Sequence, residues 1–439
     1  MKTRMQSLLL GLLLVSGVFL SSCEKDNNDD NTPKSNTITD VVVANKNFTT
    51  LKEALVKTGL DKTLMGSGEF TVFAPTNDAF NALFAKLGVS SISDLSSETL
   101  TPILLYHVLG TKAMSSSLQT GYVSSLSAGK GGKYVSLKIT VANGVKVNSN
   151  VNVIQADIIA SNGVVHVIDK VLLPPTVADI ASFDGSFTTL VSALDANNLV
   201  GTLSNPSGTF TVFAPTDAAF SAFGALPNDL LPVLLYHVLG QIVYSDQIST
   251  GYVGTLSTYM ENPISLYIDK SSGVKLNGAV NVTIADIVGT NGVIHVIDKV
   301  LVPPTVVDLA IANPNFSTLV SAVIKAQLAE TLSGTGPFTV FAPTDEAFSN
   351  LFSDLQVSGI ADLTAEQLSP ILLYHVVSGN ILSTALTSGS VQTLAGSTIQ
   401  VAVGSGVTIN ETTNVVIANI QGANGVIHVI DKVLLPPSK

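Results

Sequence analysis

Three sequence motifs recur in the same order three times, and this repetition constrains the fold more than any other feature of the chain. The first reads Phe-Thr-Val-Phe-Ala-Pro-Thr, the second Leu-Leu-Tyr-His-Val, and the third Asn-Gly-Val-Val/Ile-His-Val-Ile-Asp-Lys before a Pro-Pro pair. The copies begin at Phe70, Phe210 and Phe338; at Leu104, Leu234 and Leu372; and at Asn162, Asn291 and Asn424. The period of about 130–140 residues is far longer than that of a solenoid repeat and matches a domain.

The repeats therefore predict three tandem domains, over residues 37–175, 176–304 and 305–439. The pairs Pro174-Pro175 and Pro303-Pro304 mark the joints, because proline continues neither a helix nor a strand ladder. The next unit begins directly after each pair, so linkers are nearly absent. We expect a stiff array of domains rather than domains joined by flexible linkers.

Within a unit, the first half has helical periodicity and the second half alternates like strands. Apolar residues from Leu51 to Leu60 predict a helix, Phe70 begins a short strand, and Thr76 is positioned to cap a second helix. The Asn162-Gly163 pair between two Val/Ile-rich segments indicates a two-residue hairpin. Helices followed by strands predict an α+β fold for each unit.

The second unit is shorter than the other two. Its first motif and its Tyr-His pair are separated by 17 positions, from Phe220 to His237, against 27 from Phe80 to His107. We expect one short helix to be missing there.

The amino terminus has the pattern of an exported lipoprotein. Lys2 and Arg4 precede an apolar stretch that ends near Leu20, and the chain has a single cysteine, Cys23. The segment Leu-Ser-Ser-Cys resembles a bacterial lipobox, in which the cysteine carries the lipid. This implies a signal peptide over 1–22, with a plain signal peptide as the alternative.

An acidic tether follows over 23–36. Its acidic residues resemble the surface-export signal of Bacteroidota lipoproteins; a generic spacer is the alternative, and a calcium loop fits less well. We therefore expect a location at the outer membrane, lipid-anchored and exposed on the cell surface. A periplasm-facing orientation is the alternative.

Composition excludes several classes of function. Low charge (12%) and high apolar content (46%) exclude disorder for most of the chain. A net charge of −11 without a basic stripe excludes nucleic acid as a partner. The absence of tryptophan weakens sugar binding on aromatic platforms.

The six histidines fall two to each unit, with no nucleophile elbow and no paired-histidine metal spacing. No catalytic residue, metal site or cofactor is predicted, so the chain is not expected to be an enzyme. One histidine of each unit alternates with apolar strand residues and is predicted to be a structural core residue: His166, His295 and His428. Packing is also the simpler interpretation of the Tyr-His pairs.

Together, the three motifs resemble the fasciclin domain, over about residues 37–437. The resemblance implies a β-sandwich-like wedge with helices on one side, extracellular adhesion or matrix binding, and no general catalytic activity. Because the Tyr-His region of animal members has been tied to receptor binding, it also implies six candidate binding residues: Tyr106, His107, Tyr236, His237, Tyr374 and His375.

We accordingly predict a lipid-anchored adhesion or matrix-interaction protein with a protein or polysaccharide ligand at the cell surface. It would contact the membrane only through its lipid. A glycan-capture lipoprotein of the outer membrane is the alternative.

Overall fold

The computed structural model describes residues 36–225 and 227–437. The predicted signal peptide, the lipid-attachment residue Cys23 and nearly all of the acidic tether lie outside these residues.

The first unit consists of five α-helices and seven strands, joined in places by short 3-10 helices. Its helices are α1 (Ile38–Ala44), α2 (Thr49–Thr58), α3 (Leu60–Met65), α4 (Asn77–Leu87) and α5 (Ser97–Tyr106). Its strands are β1 (Phe70–Pro75), β2 (Val108–Leu109), β3 (Gly121–Ala128), β4 (Tyr134–Val141), β5 (Val145–Val147), β6 (Val151–Ala160) and β7 (Gly163–Ile168). Its 3-10 helices are Lys46–Phe48, Ile92–Asp94 and Lys130–Gly132.

The other two units repeat this order. The second has α6 (Val177–Phe183), α7 (Thr188–Ala196), α8 (Val200–Leu203), α9 (Asp217–Phe223), α10 (Leu231–Tyr236), β8 (Phe210–Pro215), β9 (Val238–Leu239), β10 (Gly251–Tyr259), β11 (Asn262–Asp269), β12 (Lys275–Leu276), β13 (Val280–Val288) and β14 (Gly292–Ile297). The third has α11 (Val306–Ala312), α12 (Ser317–Lys325), α13 (Ala329–Leu332), α14 (Asp345–Leu355), α15 (Ala365–Tyr374), β15 (Phe338–Pro343), β16 (Val376–Ser378), β17 (Gly389–Gln392), β18 (Thr398–Val403), β19 (Val407–Ile409), β20 (Thr413–Gly422) and β21 (Gly425–Ile430), with 3-10 helices at Pro314–Phe316 and Ile360–Asp362.

Each unit has one seven-stranded sheet, which in the first unit runs β2-β1-β7-β6-β5-β4-β3. All neighbouring strands in it are antiparallel except β1 and β7, which pair in parallel from Phe70↔Gly163 to Pro75↔Ile168. The sheet curls until β2 approaches β3, so it is barrel-like. Helices combined with this sheet confirm the predicted α+β class.

Two apolar cores hold each unit together, one on each face of the central strands. In the first unit, α1, α2, α4 and α5 pack on one face of β1 and β7, through residues such as Phe48, Phe80 and Val165. The other core fills the inside of the curled sheet around Phe73 and Leu137. Strands buried on both faces explain why β7 is apolar at nearly every position.

Local sequence signals determine where the helices begin and end. Thr76 caps α4, and its hydroxyl accepts a hydrogen bond from Ala79 N at 3.2 Å. The helix predicted from Leu51 to Leu60 is divided at Gly59, which has a left-handed φ of 72° and ends α2. This break was not predicted, and it follows from the readiness of glycine to adopt positive φ.

The predicted hairpin is present, but the glycine lies outside its turn. Strand β6 ends at Ala160, and Gly163 is already the first residue of β7. A Cβ on Gly163 would lie 2.1 Å from the carbonyl oxygen of Phe70, so only glycine allows β1 to approach.

The shortened second unit loses more than the one helix that was expected. In the part of residues 217–237 that the structure describes, no 3-10 helix precedes α10. The flanking helices α9 and α10 have 7 and 6 residues, against 11 and 10 for α4 and α5. The deletion therefore removes turns from both helices as well as the short helix between them.

Candidate functional site

The tyrosine of each Tyr-His pair ends a helix and lies inside the curled sheet. Tyr106 is the last residue of α5 and has no exposed surface. Its hydroxyl donates to Ser136 O at 2.8 Å and accepts from Asn148 Nδ2 at 2.9 Å. Burial raises the pKa of this phenol, against the opposing effect of the Asn148 hydrogen bond. Both hydrogen-bonding functions of the hydroxyl are used inside the unit.

The neighbouring His107 links the end of α5 to the segment after β7. Its Nε2 accepts from Leu172 N at 2.9 Å, which places the ring proton on Nδ1, and Nδ1 donates to Ile103 O at 2.7 Å. Burial lowers the pKa of His107 to about 4, although the bond to Ile103 opposes this shift. The imidazole is therefore neutral near pH 7, and neither of its nitrogens is free.

The second and third units reproduce this arrangement. Tyr236 and Tyr374 donate to backbone carbonyls and accept from Asn277 and Asn410. His237 and His375 make the equivalent two backbone hydrogen bonds within their own units, and burial likewise lowers their pKa values to about 4.

The six candidate binding residues thus lie in the interior, where they present no surface to a partner. Their exposed fractions are 0–2%. The physical reason is that α5 ends between the two cores: Leu100 and Leu104 pack in the core between helices and sheet, whereas Tyr106 enters the core inside the curled sheet. The packing interpretation describes these residues, and contact of the Tyr-His pairs with a receptor is not supported by the folded geometry.

The other three histidines are buried on the central strand of each sheet. His166 lies on β7 with 0% exposure, donates from Nε2 to Ala113 O at 2.9 Å, and accepts at Nδ1 from Asp157 N at 3.2 Å. His295 and His428 have equivalent backbone partners, and burial lowers the pKa of each. Their position in the core is the one predicted from the sequence.

Sequence reasoning interpreted Asn162 only as a turn residue, whereas its side chain joins three segments. Its Oδ1 accepts from Ile38 N at the start of α1, at 2.9 Å. Its Nδ2 donates to Leu64 O, in the last turn of α3, at 2.8 Å and to Gly66 O, directly after α3, at 2.9 Å. Asn291 and Asn424 make the equivalent contacts. The asparagine recurring before the glycine was the available signal.

The joint between the first two units contains a buried ion pair. Lys138 Nζ lies 2.6 Å from Asp184 Oδ2, and the Tyr122 hydroxyl donates to the same oxygen at 2.5 Å. Burial alone would raise the pKa of Asp184, but the hydrogen bonds from Lys138 and Tyr122 outweigh it and lower the pKa. Val288 N also donates to Ser136 Oγ across the joint at 2.9 Å.

The joint between the second and third units uses neutral groups at the same positions. Asn313 donates to the hydroxyl of Tyr252 at 3.1 Å, and the ring of Tyr267 lies 4.9 Å from that of Tyr252. Gln421 N donates to Ser265 Oγ at 3.0 Å. The two joints therefore share geometry but differ in charge.

A second repeated feature lies on the outside of the sheet. The penultimate strand of each unit, β6, β13 or β20, is irregularly paired with the last strand, which lifts part of it outward. Large apolar residues stand on this segment, about half exposed, and we name them the bulge patch: Ile154, Ile284, Val416 and Ile417. Sequence reasoning did not single them out, because an alternating strand gives no sign of a bulge.

Over residues 36–225 and 227–437, no group of three His, Cys, Asp or Glu side chains is arranged to hold a metal ion. In the same ranges, no single helix is long and apolar enough to cross a membrane. The segments Val306–Ala312 and Pro314–Lys325 reach that length and hydropathy only as a pair, bent by 110°.

Comparison with known proteins agrees with the repeated architecture. The sequence profile of the fasciclin domain matches residues 46–174, 185–303 and 314–436. The chain belongs to the fasciclin family. It is 30% identical to the pig protein transforming growth factor-beta-induced protein ig-h3 over 424 residues, 92% of this chain and 58% of that protein. It is 29% identical to human periostin over 418 residues, 91% of this chain and 47% of that protein.

A shorter bacterial relative covers one fasciclin domain. Protein sll1483 of Synechocystis is 47% identical over 134 residues, which are 30% of this chain and 74% of that protein. The chain spans about half the length of the two animal fasciclin relatives.

Proposed function

We propose that this fasciclin protein is anchored at the cell surface by a lipid on Cys23 and mediates adhesion or matrix interaction through protein contacts. The bulge patch carries the proposal, because it places large apolar side chains in water in all three units. Exposed apolar side chains on the same strand of each unit, at two adjacent positions of the repeat, offer contact points to a protein partner. Three copies on one chain would also multiply weak contacts into firm attachment.

Binding of immobilised collagen and fibronectin by residues 24–439 tests the patch. Changing Ile154, Ile284, Val416 and Ile417 to Ser should lower the apparent affinity at least tenfold if the patch is the contact surface. Val141→Ser with Val403→Ser is the matched control, because these strand residues are exposed to 42% and 43% outside the patch. Equal binding by the patch variant and the control variant, or no binding by the parent chain, would refute the proposal.

The lipid anchor is tested separately from binding. A strain that produces Cys23→Ala should release the intact protein into soluble fractions, whereas the parent protein should stay with the outer membrane. Protease added to intact cells should degrade the parent protein if it faces outward. Membrane retention of the variant would refute the anchor, and protection of the parent would favour a periplasm-facing orientation.

Glycan capture is the second proposed function, and a cleft at the first joint favours it. The cleft has a volume of about 440 Å³, and its mixed walls include the polar side chains of Tyr122, Lys138, Asp184 and Ser186. Charged and hydroxyl groups around a cavity suit the hydroxyls of a polysaccharide. Titration calorimetry with soluble starch, pectin and arabinogalactan, with Ser186→Leu as the blocking variant, tests it. A heat of glycan binding that is the same for Ser186→Leu and the parent chain would count against this cleft as the binding site.

A further inference from the structure

The third unit has an apolar pocket beside its first helices. It lies between α11, α12, α13 and the sheet, and has a volume of about 60 Å³. Its walls include Val306, Ala310, Val323, Leu332 and Val376. The one polar side chain among its lining residues is His375, and both ring nitrogens of His375 are bonded to Ile371 O and Leu434 N. An occupant would therefore meet hydrocarbon only.

In the first unit the corresponding space is smaller, and a partly buried leucine stands at its edge. The cavity there has a volume of about 10 Å³ and is lined by Leu55, Leu64, Val108 and Leu126, among others. Leu126 stands on β3 and packs against the core between helices and sheet. In the second unit, Leu256 on β10 packs against the equivalent core. In both units a partly buried leucine of the third strand therefore packs over this core.

The third unit has a leucine at the same position, but it does not fill the space. Leu394 is 37% exposed and lies beyond β17, which ends at Gln392. The equivalent strands β3 and β10 run on through Leu126 and Leu256. The third strand of this unit thus ends before it can carry its leucine into the core.

A glycine-to-serine difference accompanies the exposed position of this leucine. Gly110 and Gly240 face these leucines, and a Cβ on either glycine would lie 3.3 Å from the leucine Cδ2, closer than most real contacts. The third unit has Ser378 at this position. A serine Cβ at this position would leave the leucine side chain a few tenths of an ångström less room than glycine does, which favours a more exposed leucine. Val323 in place of Leu55 enlarges the space further.

We propose that this pocket binds the aliphatic chain of a small molecule, such as a medium-chain alcohol or acyl group, in the place of the missing leucine side chain. The leucines of the first two units define the chemistry of the occupant, because they show which group completes the same walls. A polar or charged head would remain in water at the rim, where Ile311 and Ile324 are exposed to 59% and 61%. The site does not depend on the proposed adhesive function.

The test uses residues 24–439, which contain every residue that the structure describes, with methyl-labelled side chains and the probes 1-butanol, 1-pentanol and 1-hexanol. Methyl resonances of Val323 and Leu332 should shift and saturate, whereas those of Leu55 and Leu64 should not. Each added methylene should tighten the dissociation constant about fourfold until the pocket is full. Equal shifts in all units, or no saturation, would overturn the proposal.

Two reciprocal variants make the test specific. Ser378→Gly should let Leu394 return and weaken 1-hexanol binding at least tenfold, while Gly110→Ser should open a similar site in the first unit. Both exchanges introduce a residue that another unit already accommodates at an exposed position, so thermal melts should show folded proteins. As a second block, Val323→Phe should fill the pocket directly. Unchanged binding by both Ser378→Gly and Val323→Phe would refute the assignment.

Discussion

Replacement of Asn162 by alanine tests whether one buried side-chain amide in each unit holds its first helices against the β6–β7 hairpin or its equivalent. The change removes three hydrogen bonds of 2.8–2.9 Å and leaves the N–H of Ile38 and the carbonyl of Leu64 without this partner. Both of these residues are at least 97% buried. Since an unsatisfied buried group costs about 1–3 kcal/mol, we expect the free energy of unfolding of the first unit to fall by about 2–4 kcal/mol.

The assay must report on each unit separately, because three similar domains unfold in one chain. Hydrogen exchange followed by mass spectrometry gives an opening free energy for peptides of each unit. Exchange should accelerate in α1 and β7, and hardly at all in β20 and β21. Asn152→Ala is the control, since the exposed side chain of Asn152 contacts only Asp169, and surface changes usually stay within about 0.5 kcal/mol. A loss below 0.5 kcal/mol for Asn162→Ala, or equal losses in all units, would refute the reasoning.

Two further predictions concern charge. Asp184→Asn should weaken the contact between the first two units by about 1–3 kcal/mol, because Lys138 would stay largely buried without a counter-charge. The distribution of spin-label distances between these units should broaden, and an unchanged distribution would contradict the prediction. Since the pKa of Asp184 is lowered, its contribution to the stability of the first joint is complete above about pH 4 and is lost in stronger acid. The stability of the second joint, at Asn313, should not change over this pH range. Because burial holds the pKa of His107 near 4 against 6.5 when unfolded, the first unit should lose roughly 2–3 kcal/mol of stability as the pH falls from 7 to 4.5. Urea midpoints for that unit at the two pH values provide the measurement, and equal midpoints would argue against a neutral buried imidazole.

The parts of the fold that depend on neighbouring residues could be predicted from the sequence. The cap at Thr76 and the hairpin before β7 follow from side chains that act within a few positions. The parallel pairing of β1 with β7 could not be predicted, because Phe70 and Gly163 are 93 positions apart and alternation does not specify a partner strand.

The candidate site shows the same limit more clearly. The apolar residues that precede Tyr106 correctly indicated packing, whereas family resemblance suggested a binding surface that the fold buries. Asn148, which positions the Tyr106 hydroxyl, has a left-handed φ of 47° and lies 42 residues away. The displaced Leu394 depends on a contact with a different strand, so only the structure reveals it.

The Asn162 side chain, which joins the start of α1 to the β6–β7 hairpin, also lies where a mechanical load would enter the unit. The chain enters the unit beside the β6–β7 hairpin, where Ser161 N donates to Asn36 O, and it leaves after the opposite end of β7, at Ile168. A pull on the two ends is therefore directed along β7, which is bonded to β1 on one side and β6 on the other. Its ladder hydrogen bonds would be sheared together rather than unzipped one by one. We expect such a strand to yield only at high force, which would suit the adhesive role proposed above.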